Sequence, residues 1–600
     1  MTTPKRFTIA ALSGLALLSA STAPASAATY SVCATGCQFN SIQNAVNAVT
    51  GVDTIDVRAG TYNENVTIPA GKDGLTLRGA QAGVAADVAP RPITGQESVL
   101  SGGGGTAIRV LSSRVTVDGF MIQNSAQGVH SDLSTSGLAV VNNVFTGNGN
   151  SVLPDSNGEL YSTIRHNTFV NNAVDRGYSP GHAIITGYSR GRLLVAYNRT
   201  AGPGSLFTHY GLHARDVTVE RNRTEAGSWA LASLYSVDDV VIQDNRSSGT
   251  GALALLSDTR NVAVYRNTVN GTVARAAVFL IPDTGPNRQT VIEGNNFDAP
   301  ANLDAVVARP GAVAGELVVR YNRFAPGTRG LFVEGEYAVD ARYNWWGCNA
   351  GPTNAACAKL DQLGVVGVAR WPWLTLSVQT DSNRIENPNG GTTGWRATLL
   401  RDSVGTVHRP QRFPLLDFTL LAQAGTRVTS DFADVGVVAG TIIAEGAQGV
   451  DFGVRRDSET VRARVDYGPA PVVPLPAGPK GDAGSQGQNG SAGPQGESGP
   501  AGPAASVAPM IAAPAAPAAA RPVNECTSSA RLLSCKLDTK VARATKGAVY
   551  RAGRRVATGS VRVSGTTVRV SVGRRVPAGR YELVLTRGSR SVARLTVVVR

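Results

Sequence analysis

Five of the six histidines fall in one stretch of the 600-residue chain: His130, His166, His182, His209 and His213. Imidazoles titrate near neutrality and act as general acids, general bases and hydrogen-bonding partners. Arg165 stands beside His166, Tyr210 follows His209, and Asp175, Arg176 and Tyr178 lie in the interval between them. Arg165, His166, Asp175, Arg176, Tyr178, His182, His209, Tyr210 and His213 are therefore the candidate patch for holding or cleaving a polymer. The competing account is that exposed polar side chains simply cover a scaffold. Asp216 and Asp239 are a second candidate. Each precedes an asparagine by six residues, and stacked coils would bring them to about 5 Å, the separation used by retaining glycosidases. Aspartate at such places is also what a tight turn selects, and the turn is the favoured reading. Calcium bridging the pair would call for a signature such as Gly-Gly-x-Gly-x-Asp, which is absent, so no cofactor or metal is expected.

These residues are carried by a repeat. A phrase of alternating apolar residues closed by asparagine recurs at Asn143, Asn167, Asn198, Asn222, Asn245, Asn267, Asn296, Asn322 and Asn344, with intervals of 24, 31, 24, 23, 22, 29, 26 and 22 residues. A period in the low twenties with β-branched alternation marks a stacked-coil solenoid. Asparagine at each corner would adopt left-handed backbone geometry and bond its neighbours along a ladder. The coil of 31 residues is about eight longer than its neighbours. Its extra loop, with Asp175, Arg176 and Tyr178, is expected to border a cleft at Arg165 and His166. Residues 41–49 place apolar side chains on one side of a helix, suited to covering the open end of the stack.

The opening Ile55-Asp56-Val57-Arg58-Ala59-Gly60-Thr61-Tyr62 and Leu75-Thr76-Leu77-Arg78-Gly79 resemble the start of right-handed parallel β-helix proteins of the pectin-lyase-like superfamily. The closing Tyr343-Asn344-Trp345-Trp346-Gly347-Cys348, with Gly351-Pro352, is similar to the last coil of secreted bacterial members. The resemblance spans roughly residues 30–375 and implies the fold. This superfold hosts lyases, hydrolases, esterases and non-catalytic surface proteins, and the clustered aspartates and basic motifs of its enzymes are not found here.

The expected fold class is all-β: a right-handed parallel β-helix, a single-stranded solenoid, followed by β-sandwich modules and a collagen-like linker. Residues 1–27 read as a signal peptide, with Lys5 and Arg6, an apolar run and Ala25-Ser26-Ala27. Residues 28–370 form the β-helix with its capping helix, and 371–467 an Ig-like sandwich. Residues 468–523 are a Pro/Ala-rich linker whose segment 478–504 repeats Gly-x-y; it would allow a homotrimer, or serve as a single-chain spacer. Residues 524–600 form a basic β-rich domain. The net charge of +14 belongs to that end of the chain: residues 521–600 hold 18 Lys+Arg and 3 Asp+Glu, leaving the remainder at −1. Its expected partner is an anionic envelope polymer, and no nucleic acid is expected because aromatic stacking platforms are scarce. Six cysteines in three close pairs, Cys33/Cys37, Cys348/Cys357 and Cys526/Cys535, suit disulfides in an exported chain. No segment after the signal peptide is long and apolar enough to span a membrane. The composite expectation is a secreted or envelope-associated protein that binds extracellular polysaccharide without cleaving it. A polysaccharide lyase or glycoside hydrolase is the alternative, and a structural adhesin without a glycan ligand the third reading.

Overall fold

The computed structural model describes residues 27–469, apart from 89–90, 92–95, 173–180, 272–275, 299–302, 365–366, 423–426 and a few single positions, together with most of 525–599. The signal-peptide and collagen-like assignments lie outside these residues. The chain divides into two units, Met1–Gly478 and Pro479–Arg600.

The first unit is a parallel β-solenoid of about twelve turns. Each turn lays one strand into each of three sheets, as in Ala214–Glu220, Arg223–Thr224 and Ala230–Tyr235. Among the described residues the first sheet has fourteen strands, the second eleven and the third twelve. Inward residues such as Val217, Val219, Val240, Ile242, Val262 and Val264 are buried in one continuous core. Phe145 stacks on Phe169 and Phe297 on Phe324 inside it, so aromatic as well as aliphatic rungs repeat along the axis. The expected end cap is the helix Ile42–Ala48, whose Ile42, Ala45 and Val46 join that core. Ser41 caps it, and the Glu64 carboxylate accepts the Ile42 and Gln43 amides, satisfying donors that the first helical turn leaves free.

At the corner between the first and second sheets the asparagine side chains form a buried ladder. The Asn245 Oδ1 accepts the backbone N–H and the Nδ2 of Asn222 at 2.9 and 3.0 Å, and Asn245 in turn donates to Asn267 Oδ1 and to Val219 O. Two expectations need correcting. The rung between Asn267 and Asn322 is Asn295, not Asn296: Asn267 donates twice to Asn295 Oδ1, and Asn295 twice to Asn322 Oδ1. Asn296 begins the next strand and accepts instead from the Arg323 guanidinium. The left-handed residue is also not the ladder asparagine but the one before it, with Asn142, His166, Tyr197, Arg221, Asp244, Arg266, Tyr321 and Tyr343 all at φ between 49° and 59°. The preceding residue absorbs the turn so that the asparagine can point inward and reach its neighbours. A shorter ladder, Asn148 to Asn172, runs at the next corner.

Residues Leu374–Tyr467 make two largely antiparallel sheets around Trp395, Ile442, Phe452, Val454 and Val465, with Arg384–Ile385 pairing in parallel with Glu459–Tyr467. They are joined to the last coils by a second apolar core that unites Trp345 with Leu374, Leu399 and Phe413. Between them Arg323 and Asp457 form a buried ion pair, and Asp457 also accepts the Trp345 indole N–H at 2.6 Å. Gly294 stands where the neighbouring coils carry Arg266 and Tyr321. A Cβ there would overlap the Arg412 carbonyl, so glycine is required for this close approach.

The second unit closes into a seven-stranded barrel around Leu533, Val549, Val568, Val570, Leu583 and Val597. Closure removes the sheet edges that a set of short alternating strands would otherwise expose. All three expected disulfides are formed, Cys33–Cys37, Cys348–Cys357 and Cys526–Cys535.

Candidate functional site

The solenoid distributes the five histidines instead of gathering them. Arg165 and His166 sit at the corner between the first and second sheets. There His166 stacks on Tyr197 at 4.9 Å and its Nδ1 lies 3.0 Å from the Asp87 carboxylate. The long loop departs from the next corner, between Thr168–Val170 of the second sheet and Ile184–Thr186 of the third. Asp175, Arg176 and Tyr178 fall outside the described residues. His209 is fully buried, in inward register with Leu234 and Leu256. His213 is exposed, with Nε2 at 3.4 Å from Asp258. The described members of the expected patch thus occupy at least three separate environments, because coil period and histidine spacing do not coincide.

Asp216 and Asp239 occupy equivalent places on adjacent coils, between the paired Arg215/Asp238 and Val217/Val240. Both are left-handed, with φ of 62° and 54°. Their carboxylates are engaged separately, Asp216 by the Tyr161 hydroxyl and Asp239 by the Asn261 amide at 2.7 Å. The hydrogen bond to Asp216 holds the Tyr161 hydroxyl above the usual phenol range.

His182 is buried on the third sheet. Its amide donates to Asn150 Oδ1 and its Nδ1 lies 3.2 Å from the Thr208 hydroxyl. Burial pushes its pKa down to about 4. The folded state thus binds fewer protons than the unfolded chain, whose histidine titrates near 6.5. The neutral imidazole contributes its full stability above that pH, and the contribution is lost as pH falls through the window down to about 4. Wild-type protein should lose about 3 kcal/mol from this group between pH 6.5 and 4. His182→Gln should remove that part of the acid limb in denaturant titrations; an unchanged limb would contradict the assignment.

The side chains that do converge lie on the outer face of the third sheet. A groove of about 600 Å³ is lined by His130, Asp132, Asp155, Tyr188 and Tyr210, with Leu133, Leu153 and Ile185 as apolar wall. Parallel pairing sets His130 beside Leu153 and Thr186 beside His209, and Gly187 and Tyr210 follow directly after that last pair. Gly187 leaves the floor open: a Cβ there would meet the Tyr210 carbonyl at 3.1 Å. Tyr188 and Tyr210 are 60% and 53% exposed, large aromatic surfaces flanking the groove. Asp155 is buried, accepting the Thr186 hydroxyl at 2.8 Å and the Tyr188 amide at 3.3 Å on one oxygen. Its other oxygen lies 3.7 Å from His130 Nε2, while His130 Nδ1 is 3.1 Å from Gln127 Oε1. Asp132 is held below the usual carboxylate range by the Ser134 amide and hydroxyl. Arg109 stands beside His130 on the adjoining rung and helps to hold Asp132 ionised. The arrangement offers aromatic faces, oriented acceptors and one imidazole along an open channel, the chemistry of carbohydrate contact. Tyr210 and its neighbour His209 were legible as candidates; Gln127, Asp132, Asp155 and Tyr188 were not. Among the described residues no group of three or more His, Cys, Asp or Glu is placed to hold a metal ion, and no helix is long and apolar enough to cross a membrane.

Fold and groove define an all-β protein built on a parallel β-solenoid with a lateral channel. No protein-family model matches the sequence, and no curated protein is similar to it. Among solved structures, similarity extends to the tailspike protein of E. coli bacteriophage HK620, a double mutant in complex with pentasaccharide. It is 11% identical over 71% of this chain and 89% of that one, with a TM-score of 0.31. PfbA, a surface adhesin of Streptococcus pneumoniae, is 13% identical over 62% of this chain and 95% of that one, with a TM-score of 0.26. Domains 5–6 of the S-layer protein SbsC are 12% identical over 38% and 98%, with a TM-score of 0.13. Likenesses this distant leave the functional argument to the side chains of the chain itself.

Proposed function

We propose that this is an exported β-solenoid protein that holds an extracellular polysaccharide in the groove on the outer face of its third sheet and does not cleave it. The observation that carries the reading is the pair of exposed rings, Tyr188 and Tyr210, beside hydrogen-bonding groups that are already oriented by their own partners. Sugar rings bury C–H faces on aromatics while their hydroxyls bond fixed acceptors. Asp132 and Asp155 supply acceptors for the hydroxyls of a neutral chain, and Arg109, beside His130 on the adjoining rung, already interacts with Asp132. One oxygen of Asp155 is occupied by Thr186 and Tyr188, which suits positioning better than proton transfer.

The test passes the full-length mature protein over immobilised neutral polysaccharides (a β-glucan, a galactan and a dextran) and follows both retention and new reducing ends. Retention on one of them should fall about tenfold or more in the Tyr188→Ala/Tyr210→Ala double variant. No retention on any, or retention indifferent to both rings, would overturn the reading. The proximity of His130 to Asp155 supports one second reading, a glycoside hydrolase or lyase. Chain cleavage abolished by His130→Ala and by Asp155→Asn would establish it.

A further inference from the structure

The barrel of the second unit carries a feature unrelated to the groove. Strand Arg554–Ser564 pairs with Thr567–Ser571, and the register sets Arg562 directly opposite Arg569. On the other side Arg569 faces Ser534 of strand Leu532–Lys536. Paired residues of an antiparallel ladder project from the same face. Val561, Val568, Val570, Leu533 and Cys535 turn into the barrel core, with Val563 packed against it, so Arg562, Arg569 and Ser534 form one row on the outside. Both arginines are exposed, and no carboxylate among the described residues pairs with either. Like charges directly opposite on neighbouring strands are unfavourable. A folded domain keeps such a pair at little cost when an anion spans both.

From this geometry we infer that the row is a binding site for an anionic polysaccharide with a carboxylate on each successive sugar, a polyuronate. The two guanidiniums project from Cβ atoms about 5 Å apart, close to one sugar residue along such a chain. Each presents a planar fork that takes a carboxylate through two hydrogen bonds. The Ser534 hydroxyl extends the row as a neutral donor. Residues 521–600, at a net charge of +15, supply the long-range field that draws in a polyanion. A nucleic acid would be held by stacking as well as by charge, and only Tyr550 and Tyr581 supply aromatic rings between 524 and 600.

Full-length protein should be retained on immobilised polygalacturonate at 0.15 M salt and eluted as salt rises. Arg562→Gln/Arg569→Gln should weaken retention roughly tenfold or more and flatten its salt dependence. Arg562→Lys/Arg569→Lys should recover part of it. Arg580→Gln/Arg594→Gln removes the same charge from other strands, at positions that face no arginine in the register, and should have a much smaller effect; equal losses would assign binding to diffuse charge and overturn the site. Tighter retention of a DNA fragment or of phosphatidylserine vesicles than of polygalacturonate would also overturn it. Formation of the Cys526–Cys535 disulfide, checked by thiol titration, confirms that each variant barrel has folded. Tyr188→Ala/Tyr210→Ala should leave polygalacturonate retention unchanged, so failure of the groove reading and failure of this one are distinguishable.

Discussion

Asn295→Ala should destabilise the solenoid by about 3–6 kcal/mol, while Asn296→Ala, one residue on, should cost about 1 kcal/mol. The asymmetry comes from the groups left behind. Asn295 Oδ1 is the acceptor for both the backbone N–H and the Nδ2 of Asn267, and its own Nδ2 satisfies Val264 O at 2.8 Å. All of these groups are buried, and alanine would strand two donors and a carbonyl with no water to replace the amide. Asn296 makes a single side-chain bond to Arg323, which keeps its other partners Asp298 and Asp457. Urea unfolding followed by far-UV circular dichroism would measure the difference. Equal effects for the two variants would refute the ladder at this rung. Transmission along the stack is also expected, because each rung both receives from one coil and gives to the next.

Asp457→Asn should lower the stability of the joint between the last coils and the following sheets by about 3 kcal/mol. Arg323 and Asp457 expose only 4% and 5% of their side chains, so removing the Asp457 charge leaves the buried Arg323 with the half-exposed Asp298 as its remaining counterion. The loss sits at the lower end of the range for broken buried pairs because Asp298 still contacts Arg323 at 2.7 Å. Asparagine is the informative substitution. Asp457 is left-handed, at φ 57°, and asparagine tolerates that conformation, so the loss reports the charge and not the turn. Trp345 donates its indole N–H to the same carboxylate and serves as the fluorescent reporter. The transition seen by tryptophan emission should move down by about 1–2 M urea. No displacement would show that the ion pair adds nothing to the apolar contacts of Trp345, Leu374 and Phe413 around it.

Much of the architecture was legible because local chemistry repeats. Alternating Val and Ile ahead of each asparagine, the one-sided helix at 42–48 and the three close cysteine pairs each have a cause acting within a few residues. Asn295 was legible too. Ile242 precedes Asn245 by three residues, Val264 precedes Asn267 by three and Val319 precedes Asn322 by three; Ile292 stands in that relation to Asn295, not to Asn296. The left-handed residue before each rung was less legible, since His, Tyr, Arg and Asp all occupy it and no single side chain marks the place.

The groove depends on quantities that no local pattern carries. Asn150 follows its rung partner Gln127 by 23 residues, and His182 lies 32 beyond Asn150. Loops of unequal length thus decide which residues stand side by side. A shift of one residue in a strand would turn His130 inward and Ser131 outward. Composition and spacing by themselves determined a stacked, all-β chain with a capped end, asparagine corners, local disulfides and a basic terminus, because burial, corner hydrogen bonding and charge act through residue type. Only the tertiary structure decided that His130, Asp155, Tyr188 and Tyr210 share a channel, that Arg323 meets Asp457 across 134 residues, and that Arg562 faces Arg569. Register, loop length and barrel closure bring these groups together, and each is a property of how segments pair, not of any segment alone.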